Sequence, residues 1–121
     1  MSGSHTLGRT GEEIAAGHLE KKGYRILHRN WKSGRRELDI VAENDEFVVF
    51  VEVKTRSADF ILHPRDSVTR EKQRLIIYAA DFYLRICNIS KESRFDIITL
   101  VAKGDEFDIE HVENAFYPTL R

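Results

Sequence analysis

The stretch Gly34–Arg56, GRRELDIVAENDEFVVFVEVKTR, decides the fold. Its two runs ELDIVA and FVVFVEVKTR are rich in β-branched and aromatic residues and flank the polar ENDE segment, which predicts a β-hairpin. Charged side chains interrupt both runs: Glu37 and Asp39 in the first, Glu52 and Lys54 in the second. Strand side chains alternate between faces, so Glu37, Asp39 and Val41 share one face, as do Glu52, Lys54 and Arg56. In an antiparallel hairpin the numbers of paired residues have a constant sum. A two-residue tip at Asn44-Asp45 or Asp45-Glu46 gives 89 or 91, and either sum puts all four charges on one face. The sum of 91 sets Asp39 opposite Glu52 and Glu37 opposite Lys54, whereas 89 sets Glu37 opposite Glu52. An odd loop would split the charges across the faces.

Directly opposed residues have Cβ atoms roughly 4.5–5.5 Å apart. Two carboxylates that close repel unless a positive charge lies between them. A divalent cation with oxygen ligands resolves the conflict, and Lys54 would then lie beside it, placed to orient a water or to offset charge on a phosphate. The competing reading is a surface hairpin with cross-strand ion pairs such as Glu37–Lys54, typically about 0.2–1 kcal/mol each. Val48 and Phe50, expected on the same face, point to partial cover.

Outward from the hairpin, Thr10 and Glu13 form a capping box for a helix over about Gly11–Lys22, with Ile14, Ala15, His18 and Leu19 as its stripe and Gly23 as its stop. Tyr24–Trp31 reads as a strand and Lys32–Arg36 as a turn. After the irregular SADFILHPRDS segment, Thr69 caps a long helix to about Cys87, lined on one side by Val68, Leu75, Ala79, Phe82 and Ile86. RFDIITLVA is a strand, Lys103-Gly104 a turn, and EFDIEHVENAF a weaker last strand. The order α-β-β-β-α-β-β predicts an α/β (α+β) domain, a mixed sheet flanked by helices. Residues 1–9 read as a flexible N-terminus and 10–121 as one domain.

The whole chain, 121 residues with 41% apolar and 32% charged residues and a net charge of -1, suits one modest core and gives no bulk signal for nucleic acid. The charge is uneven. Lys21–Arg36 holds seven Lys/Arg and no acid, while Glu37–Glu52 holds six acids and no base. A phosphate-binding face beside a metal site would account for this, as would two solvated faces that pair with each other. The single cysteine, Cys87, excludes an intramolecular disulfide and a Cys-based zinc cluster, and reads as a small buried hydrophobe. No run approaches the roughly 20 apolar residues of a membrane span, so no membrane partner is expected, and the cytoplasm is the default compartment. Trp31 reads as core or rim and Arg94–Asp96 as a structural ion pair. His18 reads as packing on the first helix, and the other histidines as surface.

Asp39 followed by Glu52-Val53-Lys54 resembles the D…ExK signature of the PD-(D/E)XK nuclease superfamily. The surrounding GEEIAAGHLEKKGYRIL, Asn30-Trp31, ELDIVA, FVEVKTR, Lys72-Gln73-Arg74, RFDII and ENAF segments resemble the YraN family, small bacterial proteins related to Holliday-junction resolvases. The resemblance runs from Gly11 to Phe116. It implies a restriction-endonuclease-like core in αβββαβ order and Mg²⁺- or Mn²⁺-dependent hydrolysis of phosphodiester bonds. It further implies Asp39 and Glu52 as metal ligands, the Val53 carbonyl as another, Lys54 as the catalytic lysine, Glu12 as a helix-borne metal residue and Glu37 as an auxiliary. Two positions depart from the family pattern: Arg36 stands where Gly usually precedes the glutamate, and Leu62-His63 precede Pro64 where Gly is usual.

The expected activity is a metal-dependent DNA endonuclease acting on branched or structured DNA, with a homodimer to be tested because resolvase-like enzymes cut two strands. The alternative is a non-catalytic nucleic-acid-binding module of nuclease-like fold. Lys32, Arg35, Arg36, Arg56, Lys72 and Gln73 are the expected nucleic-acid contacts. Lys72 and Gln73 sit at a helix N-terminus, which favours phosphate; an ordinary solvated turn is the other reading.

Overall fold

The computed structural model describes residues 11–57 and 68–118. Helix α1 (Gly11–Lys21) leads into strands β1 (Arg25–Ser33), β2 (Arg36–Glu43) and β3 (Phe47–Arg56), then helix α2 (Arg70–Ile86), and strands β4 (Glu92–Lys103) and β5 (Glu106–Phe116). The five strands form one sheet in the order β1-β2-β3-β4-β5. All neighbours are antiparallel except β3 and β4, which run parallel because α2 lies between them in sequence. This is the mixed α/β architecture the sequence predicts. Among the described residues no helix is long and apolar enough to cross a membrane.

The β2–β3 turn takes one of its two expected registers. Glu43 pairs with Val48 and Ile40 with Val51, the register whose sum is 91. The tip is Asp45-Glu46, and Asn44 Oδ1 accepts the N–H groups of Glu46 and Phe47 at 2.9 and 2.8 Å. That side-chain turn fixes the loop length and therefore the register. The β1–β2 turn is tighter than expected. Ser33 pairs with Arg36, leaving only Gly34 and Arg35 as the loop, with Gly34 at φ 62°.

The helices cover opposite faces. Ala15, Ala16 and Leu19 of α1 pack with Ile40, Ala42, Val49, Val51, Ile98 and Leu100. Ile76, Ala79, Ala80 and Tyr83 of α2 pack with Val41, Val48, Phe50, Phe95 and Ile97. Phe50, Phe95 and Phe116 stack in series at 5.5 and 5.3 Å between ring centres.

Several expectations change. The buried stripe of α2 is Ile76, Ala79, Ala80 and Tyr83, while Leu75 and Ile86 are exposed at 61% and 56%. The helix is rotated from the expected stripe, so that Ala79-Ala80 lets it approach the sheet. Cys87 is exposed, because it is the C-cap of α2 rather than a core position. His111 is not a surface residue: its side chain is 4% exposed and bonds Asp96. Strict alternation also fails around Asp39. Leu38 packs with Val41 on the α2 side, yet Ile40 packs on the α1 side. On the neighbouring strand, Asn30 takes φ 53°, the left-handed conformation that breaks the pleat. Thr10 and the loop departures at Leu62, His63 and Pro64 lie outside the described residues.

Candidate functional site

The β2–β3 ladder stops at Ile40↔Val51. Beyond it the Val53 N–H donates to Asp39 Oδ2 at 2.9 Å. A side chain thus replaces a backbone partner, the strands part, and the Asp39 carboxyl occupies the opening. The Glu52 carboxyl lies close enough for the Asp39 charge to raise its pKa. Asp39 and Glu52 thus stand on neighbouring strands just past the end of the ladder, and the backbone pairing expected to set them opposite each other ends one residue earlier.

Glu52 is buried. Burial and the Asp39 charge push its carboxyl up to about 7, against the opposing pull of Lys72 and Lys54. Those two amines stand 3.9 and 3.8 Å from Glu52 Oε2. Lys54 sits where expected, one pleat on from Glu52. Lys72 is more intimate than expected, reaching from the first turn of α2 to the acid pair itself.

Glu12 lies in the first turn of α1. Its carboxyl is raised above the usual range by burial and by the Asp39 charge, with Arg29 and Lys32 opposing. The Asp39 charge thus acts on an acid of α1 and on an acid of β3. A Cβ on Gly11 would meet Thr55 Oγ1 at 2.9 Å and Leu100 Cδ1 at 3.1 Å, so the glycine lets α1 seat its first turn tightly against β3 and β4. Thr99, which pairs with Lys54, has a buried Oγ1 without a hydrogen-bond partner among the described residues.

The Asp39 and Glu52 carboxyl oxygens, with the Val53 carbonyl beside them in the chain, are hard donors of the kind that fit a divalent cation such as Mg²⁺ or Mn²⁺. Two carboxyls near enough for one to help raise the other to about 7 are the arrangement a cation would relieve. Among the described residues no three His, Cys, Asp or Glu side chains stand together at ligating spacing, so Glu12 is near the pair rather than joined to it.

The remaining expected residues divide. Arg35, Arg36, Glu37 and Lys72 line one cavity beside the acid pair. Glu37 is exposed there rather than paired with Lys54 within the hairpin ladder. Arg36 lies over the Phe82 ring at 3.9 Å. Lys32 acts on Glu12. Arg56 Nη1 donates to Thr55 O at 3.2 Å along its own strand. The helix N-terminus is less open than expected: Lys72 N–H donates to Thr69 Oγ1, Gln73 N–H to Thr69 O, and Gln73 Nε2 to Val68 O. Gln73 thus serves the cap of α2.

A second polar cluster lies on the α1 side. Asp96 is fully buried. It accepts from Arg94 Nε and Nη2 at 2.9 and 2.8 Å, from His111 Nε2 at 2.8 Å and from Asn114 N–H at 3.0 Å. Burial would raise its pKa, but the hydrogen bonds from His111, Arg94 and Asn114 hold it below the usual range. His18 Nε2 meets His111 Nδ1 at 3.2 Å. The Arg94–Asp96 pair was legible in the sequence. The histidine contact was not, since nothing in local spacing links β5 to α1. Trp31 packs against Tyr83 and Phe82, as a core-rim residue.

The family model described as "Uncharacterised protein family UPF0102" matches residues 11–100. A UPF0102 protein of Parabacteroides distasonis is 47% identical over 121 residues, covering 100% of both chains. One of Phocaeicola vulgatus is 48% identical over 120 residues, covering 99% of each. One of Prosthecochloris aestuarii is 43% identical over 120 residues, covering 93% of this chain and 94% of its own.

Proposed function

The chain belongs to the UPF0102 family, the YraN family that its sequence resembles, and on that footing we propose that it is a metal-dependent endonuclease hydrolysing phosphodiester bonds in DNA, branched or structured DNA first among them. The observation that carries this reading is the half-buried Asp39 beside the buried Glu52 at the parting of β2 and β3, with Lys54 Nζ 3.8 Å from Glu52 Oε2. Asp39 and Glu52 would hold the cation through carboxylate oxygens and the Val53 carbonyl would add a neutral one, while Glu12 on α1 would lie beside it rather than among its ligands. When bound, the cation supplies Lewis acidity and offsets phosphate charge. The Val53 N–H fixes Asp39. Lys54 places a cationic donor where charge develops on the phosphate, and Lys72 offers a second from the opposite wall.

A non-catalytic binding module is the second reading. The observation favouring it is that Lys54 and Lys72 already balance Glu52 from both sides. Incubation with labelled four-way junctions, flaps, single strands and duplex, with Mg²⁺ or Mn²⁺, separates the two. Cleavage that disappears in both Asp39→Asn and Lys54→Ala supports the enzyme. Salt-dependent binding without cutting supports the module. Neither binding nor cutting rejects both.

A further inference from the structure

The cavity beside the acid pair, about 480 Å³, lies between the β1–β2 turn and α2. Its walls combine two chemistries. Among the described residues Arg35, Arg36 and Lys72 supply its cations and Glu37 its acid. Leu75 and Tyr78, 61% and 65% exposed, supply an apolar surface that the fold leaves uncovered. These side chains face one way because Lys72, Leu75 and Tyr78 follow each other at a spacing of three along α2. Arg36 is held in place by ring contacts rather than by a carboxylate. Its guanidinium carbon is 3.9 Å from the Phe82 ring centre and 5.6 Å from that of Tyr78. Its buried Nε has no hydrogen-bond partner among the described residues.

A ligand for such a groove needs anionic groups and a flat apolar face within one residue's length. The outer surface of an intact duplex offers the phosphates alone, its base faces being stacked. An unpaired nucleotide offers both. An acidic peptide would match the cations and leave Tyr78 and Leu75 wet.

We propose that this groove binds an unpaired nucleotide of the strand presented to the acid pair, its base against Tyr78 and Leu75 and its phosphates against Arg35, Arg36 and Lys72. The proposal rests on the nucleic-acid reading above and narrows its substrate to DNA with an unstacked nucleotide next to the cut. Lys72 links the two sites, since it lines the groove and reaches Glu52 at 3.9 Å. Glu37 offers an acceptor to a base N–H at the rim.

The test is metal-free binding of the full chain to three oligonucleotides of equal length: blunt duplex, single strand, and duplex with a one-nucleotide bulge carrying 2-aminopurine. The bulged and single strands are expected to bind more tightly than the duplex, with the fluorophore's emission changed by stacking. Tyr78→Ala should weaken those two by about tenfold, the size of one lost base stack, and leave duplex affinity within about twofold. Tyr78→Phe should restore them. Equal affinity for all three, a silent Tyr78→Ala, or equal competition by a poly-glutamate peptide would overturn the proposal. Metal-dependent cutting of duplex with a silent Tyr78→Ala removes only the groove. A Tyr78-dependent preference without any cutting keeps the groove and removes the nuclease. No binding to any oligonucleotide removes both.

Discussion

Asp39 Oδ2 accepts the Val53 N–H at 2.9 Å, a bond that in a continued hairpin would have gone to a backbone carbonyl of β2. This exchange parts the two strands at the position where two carboxyls meet. The acid pair and the opening in the sheet thus have one origin, and the proposed chemistry follows from it.

Stability should fall with rising pH because of Glu52. Its folded pKa of about 7 exceeds the usual 4.5, so the folded protein holds the proton more tightly across that window. The contribution is fully present below 4.5 and lost as pH climbs through 7, a swing of about 3 kcal/mol if no other group compensates. Thermal unfolding from pH 4.5 to 8 should show this slope. Glu52→Gln should flatten it and be the more stable protein at pH 8.

Asp96 acts in the opposite sense. Its carboxyl is held below 3.8 by His111, Arg94 and Asn114, so its contribution is present above that value and lost as pH falls further. Asp96→Ala should cost about 3–5 kcal/mol in urea unfolding at pH 7, because Arg94 is then left without its buried partner. A loss under about 1 kcal/mol would contradict a structural role of this weight.

Two glycines of α1 should respond oppositely to alanine. Gly17 has open space at its Cβ position, and Gly17→Ala should stabilise by about 0.5–1 kcal/mol. Gly11→Ala meets Thr55 and Leu100 and should destabilise by about 1–3 kcal/mol. It should also move Glu12, lowering any cleavage more than stability alone explains.

The basic turn should govern salt dependence. If Arg35 and Arg36 each neutralise a phosphate, the double alanine variant should reduce the slope of log K against log salt by about 1.8 on duplex DNA. An unchanged slope would place the phosphates elsewhere.

The hairpin was legible because each of its parts agreed. β-branched runs gave the strands, Asn44 gave the turn, and an even loop gave Asp39 and Glu52 one meeting point. What alternation could not show was where the ladder ends. That depends on Asp39 capturing a backbone N–H and on Asn30 taking a left-handed conformation, neither of which strand alternation encodes. The α2 stripe misled for a related reason. Leu75 and Ile86 are as apolar as core residues, but the small Ala79-Ala80 pair sets which side approaches the sheet. The resulting exposure of Leu75 and Tyr78 marks the groove. Lys72 read as a helix-start cation, and only the fold carries it to Glu52.

The central claim is that Asp39 and Glu52 form a divalent-cation site. Calorimetric titration with Mn²⁺ at pH 8, where Glu52 is mostly ionised, tests it most directly. Saturable binding to the unaltered chain is expected, with at least tenfold weaker binding to Asp39→Asn and Glu52→Gln proteins that remain folded. Binding that is absent from the unaltered chain, or indifferent to both substitutions, would contradict it.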